Sequence, residues 1–283
     1  MNNAPSAAHV STKNLLNPCP PSLLKALHSS NLDRDVWLKS YEEEKGGLKS
    51  YNVYETISKK QYLQLRRQGR IGKALPSMCV LVIKHNKDGN PVHAKSRIVV
   101  LGNFEDRVYD KSQQYAPVLK YSSFHLLIAK TVRSKRVLQQ GDCKNAFCNA
   151  DLPDDEITVI HSPVGDPAYN KDEFWFLRKT LYGLHCSPHH WYNMITKILT
   201  EIGLVASPHD PCLFTSVVMN SSAPNLPSAP HKPIHVELYI DDFVFFSEDP
   251  MEEERFMKVL SEVSTVKIDF MGIVDYFLRT AFN

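Results

Sequence analysis

Two adjacent carboxylates, Asp241 and Asp242, sit between apolar runs: His235-Val236-Glu237-Leu238-Tyr239-Ile240 before them and Phe243-Val244-Phe245-Phe246 after. The β-branched and aromatic residues on both sides predict two strands, with the acidic pair at the tight turn between them. Carboxylates fixed at a hairpin tip suit a hard divalent cation. Mg²⁺ prefers oxygen ligands and takes only one or two carboxylates, leaving positions for water and phosphate. An Asp-Asp pair is also ordinary turn chemistry, because Asp side chains hydrogen-bond nearby backbone. A second acid upstream strengthens the cation reading. Asp142 lies in Gln140-Gly141-Asp142-Cys143-Lys144-Asn145-Ala146-Phe147, and Arg136-Val137-Leu138-Gln139 predicts a short strand delivering Asp142 to its end. Asp142 and Asp241 are 99 residues apart, so only tertiary structure can join them. Two-metal phosphoryl transfer needs such an arrangement, with carboxylates from separate strands clamping cations about 3.5–4 Å apart. Alone, Asp142 reads as a surface or capping residue.

The elements that must position these acids can be read from period and punctuation. Trp37, Leu38 and Tyr41 predict a helix over 36–48, ending at Gly46-Gly47. Residues 79–84 and 95–101 flank Asn86-Lys87-Asp88-Gly89-Asn90, a β-hairpin signal with Asp-Gly in the turn. Apolar spacing predicts helices over 122–133, 188–203 and 250–263, and a strand around 266–270. Residues 1–22 read as a disordered leader, and 219–233, with prolines at 224, 227, 230 and 233, as a flexible insertion before the acidic hairpin. Strands and helices interleave without βαβ alternation, so the class is α+β.

The chain has 283 residues, 43% hydrophobic and 10% aromatic, enough for one large or two small cores. A net charge of +2 excludes a polycation, but Lys59, Lys60, Arg66, Arg67, Arg70 and Lys73 fall in a stretch without Asp or Glu. That run fits a phosphate backbone or a solvated helix face. Six dispersed cysteines without a Cys-x-x-Cys pair predict free thiols in a reducing compartment. No apolar signal core and no membrane-length run occur, so the expectation is an intracellular protein, cytoplasmic or nuclear, neither secreted nor membrane-bound.

The segment 140–147 is similar to the Asp-Val-Lys-Thr-Ala-Phe block of copia-type retrotransposon reverse transcriptases. Leu181-Tyr182-Gly183-Leu184, continuing through Ser187-Pro188 to Trp191-Tyr192, resembles a second block of that family, and Tyr239-Ile240-Asp241-Asp242 its Tyr-Val-Asp-Asp hairpin. Ala94-Lys95-Ser96-Arg97-Ile98-Val99, Tyr115-Ala116-Pro117-Val118 and Asp269-Phe270-Met271-Gly272 match further blocks, in the family's order, over roughly 35–282. The resemblance implies an RNA-directed DNA polymerase with a right-hand fold, in which an antiparallel palm sheet packs on helices. The expected division is one domain over 23–283, with fingers about 35–135 and palm about 136–282. Asp142, Asp241 and Asp242 would be catalytic and would bind Mg²⁺, or Mn²⁺ in its place. Asp142 and Asp241 would bridge the ions and Asp242 would support them. Arg97 and Lys84 would meet the triphosphate, and Phe147 would lie under the sugar and exclude a 2′-hydroxyl. Gly183, Pro188 and Tyr239 would line the nucleotide and template site. The implied partners are an RNA template, a DNA primer, deoxynucleoside triphosphates, and the integrase and RNase H domains of a polyprotein.

Some positions depart from the family pattern. His185-Cys186 and His189 stand where the family carries Lys-Gln or Arg-Arg and then Arg, and Arg279 where it has Gly. Neutral His and Cys cannot replace a guanidinium's fork of donors. The chain also stops at Asn283, so thumb and RNase H are expected to be absent from it. The alternative expectation is therefore a degenerate relic, weak or inactive in catalysis, that keeps the fold and weak nucleic-acid binding.

Overall fold

The computed structural model describes residues 18–86, 88–216, 232–274, 276–277 and 280–281. In chain order, the first elements are α1 (Leu23–Ala26), α2 (Arg34–Ser50), β1 (Tyr54–Ser58), α3 (Lys59–Arg67), β2 (Ser77–His85) and β3 (Pro91–Val100). Next come α4 (Lys111–Gln114), α5 (Tyr121–Arg133), β4 (Gln139–Cys143), β5 (Val159–Ile160) and β6 (Glu173–Leu177). The chain continues with α6 (Ser187–Glu201), β7 (Leu204–Ala206), β8 (Leu213–Ser216), β9 (Ile234–Tyr239) and β10 (Asp242–Ser247). Last are α7 (Pro250–Val263), β11 (Ile268–Ile273), β12 (Tyr276–Phe277) and β13 (Thr280–Ala281). Every ladder among the named strands is antiparallel, as an α+β class requires.

The residues divide into two compact units, 1–108 with 152–184 and 109–151 with 185–283. Each unit is thus assembled from two separate stretches of chain. In the first unit, β1, β6 and β5 form one sheet in that order and β2 pairs with β3 in a hairpin. Tyr54 stacks on Trp175 with centroids 4.0 Å apart, and the Tyr62 hydroxyl accepts from the Ala74 amide at 3.0 Å. Gly46-Gly47 does not end α2, which runs on to Ser50. Two interior glycines cost a helix about 2 kcal/mol. The helix is held across them by Lys45, whose ammonium lies 2.9 Å from both oxygens of buried Asp166, and by Leu48, which is fully buried.

The second unit is built on a six-stranded sheet, ordered β11-β4-β10-β9-β8-β7. One face carries Val236, Leu238, Phe243 and Phe245 against Trp191, Ile195 and Leu199 of α6 and Phe256 and Leu260 of α7. The opposite face carries Val244 and Phe246 against Phe124 and Leu127 of α5. The strand expected over 136–139 begins only at Gln139, so Asp142 lies within β4 rather than beyond its end. Residues before it close the preceding helix instead. Lys135 takes φ 53°, the Arg136 amide donates to Thr131 O at 3.0 Å, and the Arg136 guanidinium pairs with Glu253 at 2.8 Å.

Helix α6 ends at Glu201, and Gly203, at φ 92°, carries the turn that follows. Helix α7 spans the expected 250–263, started by the Asp249 side chain accepting from Met251 N. Residues 1–17 of the leader, 219–231 of the Pro-rich segment and Arg279 lie outside the described residues. Ser22, at the leader's described end, caps α1. All six cysteines are free thiols, and among the described residues no helix is long and apolar enough to cross a membrane.

Candidate active site

The acidic hairpin is as tight as antiparallel pairing allows. Asp242 pairs with Tyr239, so Ile240 and Asp241 form a two-residue loop. Ile240 takes φ 57°, the positive value that the first loop residue of a type II′ hairpin requires. A β-branched residue there costs about 1–3 kcal/mol, and such strain persists only where surroundings over-determine it. The restraint here is the Trp191 indole of α6, which donates to Ile240 O at 2.6 Å.

On the other side of β10 runs β4, with Asp142 directly opposite Asp242, and the Cys143 amide donates to Asp241 O at 2.7 Å. Opposed antiparallel residues have Cα atoms about 4.5–5.5 Å apart. Sheet pairing therefore brings the three acids of the sequence together. Gly141 is required by this approach, because the Phe243 ring fills the space a Cβ would take. The pleat turns Asp142 and Asp242 to the face opposite Phe243.

Like charges crowd this end of the sheet. Burial first, and then the neighbouring Asp241 and Asp142 carboxylates, push the Asp242 carboxyl up to about 6, against a hydrogen bond from Gln140 and the charge of Lys144. The buried Cys143 thiol is held well above its ordinary range by burial and by all three acids. A divalent cation relieves such repulsion, and an all-oxygen carboxylate set suits Mg²⁺ or a similar hard ion. Among the described residues, Lys144 brings a positive charge to this end of the sheet, with Nζ 2.7 Å from Asp142 Oδ2 and 2.9 Å from Asp269 Oδ2. Burial alone pulls that ammonium's pKa down, but the two carboxylates together hold it above the usual lysine value.

Among the other expected site residues, Phe147, Pro188 and Tyr239 belong to the same unit as the acids. Phe147 is half-buried and lines a small cleft with Pro188, Trp191, Leu238 and Ile240. The cleft holds about 30 Å³, room for two or three waters. Tyr239 lies opposite Asp242 and edge-on to Phe277. Lys84, Arg97 and Gly183 belong to the first unit. Lys84 and Arg97 are exposed on one face of the β2–β3 ribbon, opposite His93 and Val80, and stand roughly 13 Å apart along it. Pairing does not bring these two together. The Arg97 guanidinium instead stacks over the Tyr182 ring, 5.1 Å from its centroid. Gly183, at φ 95°, has no space for a Cβ against Val100 O, and the Val100 amide donates to Tyr182 O at 2.8 Å.

Residues 63–283, more than half of the chain, match the family described as reverse transcriptase (RNA-dependent DNA polymerase). The chain belongs to the reverse transcriptase family. It is 28% identical over 185 residues to the retrovirus-related Pol polyprotein from transposon RE1 of Arabidopsis thaliana, a match covering 65% of this chain and 12% of the relative. The corresponding polyprotein from transposon TNT 1-94 of Nicotiana tabacum is 26% identical over 233 residues, covering 81% of this chain and 16% of the relative. A third, from transposon RE2 of Arabidopsis thaliana, is 27% identical over 184 residues, 65% of this chain and 12% of the relative. The chain therefore spans only about an eighth to a sixth of the length of these copia-type relatives.

Reverse transcriptases use divalent metal ions, and the carboxylate set of this family member is chemically suited to them. Sequence reasoning gave no role to Asp269, which β11 places directly opposite Asp142 on the other edge of β4. Nor did it give one to Lys144, which joins the two acids. An isolated Asp and Lys carry no periodic signal. Only the three-strand register of this reverse transcriptase sheet brings them together.

Proposed function

We propose that this chain is the RNA-directed DNA polymerase portion of a copia-type retrotransposon polyprotein, extending a DNA primer on an RNA template with deoxynucleoside triphosphates. The observation that carries the proposal is the β4–β10 register, Asp142 opposite Asp242, with Asp241 fixed by the Cys143 amide. In this reading the second unit is the palm and the first supplies the fingers. Asp142 and Asp241 would hold two Mg²⁺ ions and Asp242 would support them. When bound, the ions would activate the primer hydroxyl and stabilise the leaving pyrophosphate.

The chain's own residues position the reactants. Arg97 and Lys84 offer cations to the triphosphate, and stacking on the Tyr182 ring holds the planar Arg97 guanidinium in place. Phe147 presents its ring beneath the sugar, where a ribose 2′-hydroxyl would collide with it. Pro188 and Tyr239 shape the surrounding wall. The exposed cations of 59–73 fit a nucleic-acid backbone. Integrase and RNase H domains of the same polyprotein are the expected companions, in a cytoplasmic particle or the nucleus.

One observation favours a second reading, a chain that keeps the fold and weak nucleic-acid binding but little catalysis. The His189 ring nitrogens contact Tyr115 O at 2.9 Å and the Asn193 amide at 2.9 Å, and Cys186 is buried. Position 189, where the family resemblance expects Arg, thus offers no cation to a phosphate, and a buried thiol stands at 186 where it expects Gln or Arg. Primer extension on an RNA template with Mg²⁺ separates the readings. Synthesis by the wild type that Asp241→Asn abolishes, with the melting temperature unchanged, supports the polymerase. Absent synthesis, or turnover retained in Asp241→Asn, refutes it.

A further inference from the structure

We infer that Lys144 is a built-in counter-cation that competes with the divalent metal for Asp142, and that Asp269 is its alternative seat when the metal binds. The inference rests on the metal reading above and adds a control on metal affinity to it. Three observations carry it. The Lys144 ammonium sits 2.7 Å from Asp142 Oδ2 and 2.9 Å from Asp269 Oδ2, so one cation spans two carboxylates. Those carboxylates are opposed across the β11–β4 ladder, which fixes their spacing by backbone pairing rather than by side-chain choice. The Lys144 amide also donates to Lys267 O at 2.9 Å, which anchors the start of the side chain beside β11.

The chemistry follows from sharing an oxygen. A lysine ammonium is a compact point charge with three donors, and it cannot occupy the same lone pairs of Asp142 as a metal ion. Without metal it neutralises an end of the sheet where Asp142, Asp241 and Asp242 otherwise repel one another. When a metal takes Asp142, Lys144 keeps its bond to Asp269, so displacement leaves no unpaired cation against the arriving one. Lys144 and Asp269 are positioning residues in this scheme, since neither needs to touch the nucleotide.

The test is Mn²⁺ binding to the full chain by calorimetry at low ionic strength, without nucleic acid, alongside thermal melting with and without Mn²⁺. Lys144→Met should bind Mn²⁺ roughly tenfold more tightly, because one positive charge within contact distance is gone. It should also melt lower than wild type without metal and gain more from added Mn²⁺. Asp269→Asn should bind several-fold more weakly, because Lys144 is then left with Asp142 alone. If Lys144 merely orients Asp142, Lys144→Met weakens binding instead, and that result overturns the inference, as does an unchanged affinity. Should Lys144→Met not fold, Asp269→Asn decides, and unchanged or tighter binding in that variant overturns the inference. Asp241→Asn separates the levels. Wild-type Mn²⁺ binding that this substitution abolishes upholds the metal reading even where the inference fails. A wild type that binds no better than Asp241→Asn removes both.

Discussion

Glu237 is an acid placed where an acid is costly. It lies in the centre of β9, is 0% exposed, and among the described residues neither of its carboxylate oxygens has a hydrogen-bond partner. The nearby acid, Asp210, is also buried, but its carboxylate accepts from the Lys120 amide at 3.0 Å and the Cys212 amide at 2.9 Å. Burial first, and then the charge of Asp210, push the Glu237 carboxyl up to about 8 from its ordinary 4.5. The folded protein therefore holds a proton that the unfolded chain releases near pH 4.5. The stability associated with this proton is fully present below pH 4.5 and is lost as pH rises through about 8. At about 1.4 kcal/mol per pH unit, the loss across that window is roughly 3–5 kcal/mol. Glu237→Leu removes the titration and adds apolar packing. In urea melts followed by circular dichroism, the variant should exceed wild type in stability by several kcal/mol at pH 8.5. That advantage should shrink by roughly 3–5 kcal/mol at pH 5. Parallel pH profiles for the two proteins would refute the reasoning, since they would mean that Glu237 is not protonated in the fold.

Phe147→Val should relax discrimination against ribonucleotides in single-nucleotide insertion, and unchanged discrimination would return Phe147 to a packing role alone. Ile240→Gly relieves the positive φ at the hairpin tip and should raise stability by about 0.5–1 kcal/mol in urea melts, strain relief minus glycine's entropy. Because Ile240 is half-exposed, little burial is lost, and a destabilised variant would contradict the strain argument. Gly183→Ala should cost more than about 2 kcal/mol, because the new methyl meets Val100 O at a φ that alanine disfavours. The same variant should raise the KM for nucleotide through the displaced Tyr182–Arg97 stack, and a wild-type melting temperature would sink both expectations.

The acidic hairpin and α7 were legible in the sequence because each is bounded by local signals: an apolar–acidic–apolar run for the first, a capping Asp249 followed by Pro250 for the second. The extension of α2 through Gly46-Gly47 was not, because the Lys45–Asp166 pair that holds it joins residues 121 apart. The late start of β4 was hidden for the same reason: the apolar look of Val137 and Leu138 gives no sign that Arg136 is drawn to Glu253 of α7. At the site, the three acids could be read as chemistry, but their register could not. Lys144, Asp269 and Glu237 acquire meaning only from neighbours that the fold supplies.

Strand β4 lies between β10 and β11, and both partners are made long after it. Asp241 follows Asp142 by 99 residues, which at ~5–20 residues per second is roughly 5–20 s of ribosome time with both edges of the strand unpaired. An open strand is a template for wrong pairing unless its side chains discourage it. Gln139-Gln140-Gly141-Asp142-Cys143 contains no large aliphatic or aromatic residue, unlike β10 with its Phe243-Val244-Phe245-Phe246. The glycine and the carboxylate that shape the site thus also keep the nascent strand a poor partner for other chains until its own hairpin emerges.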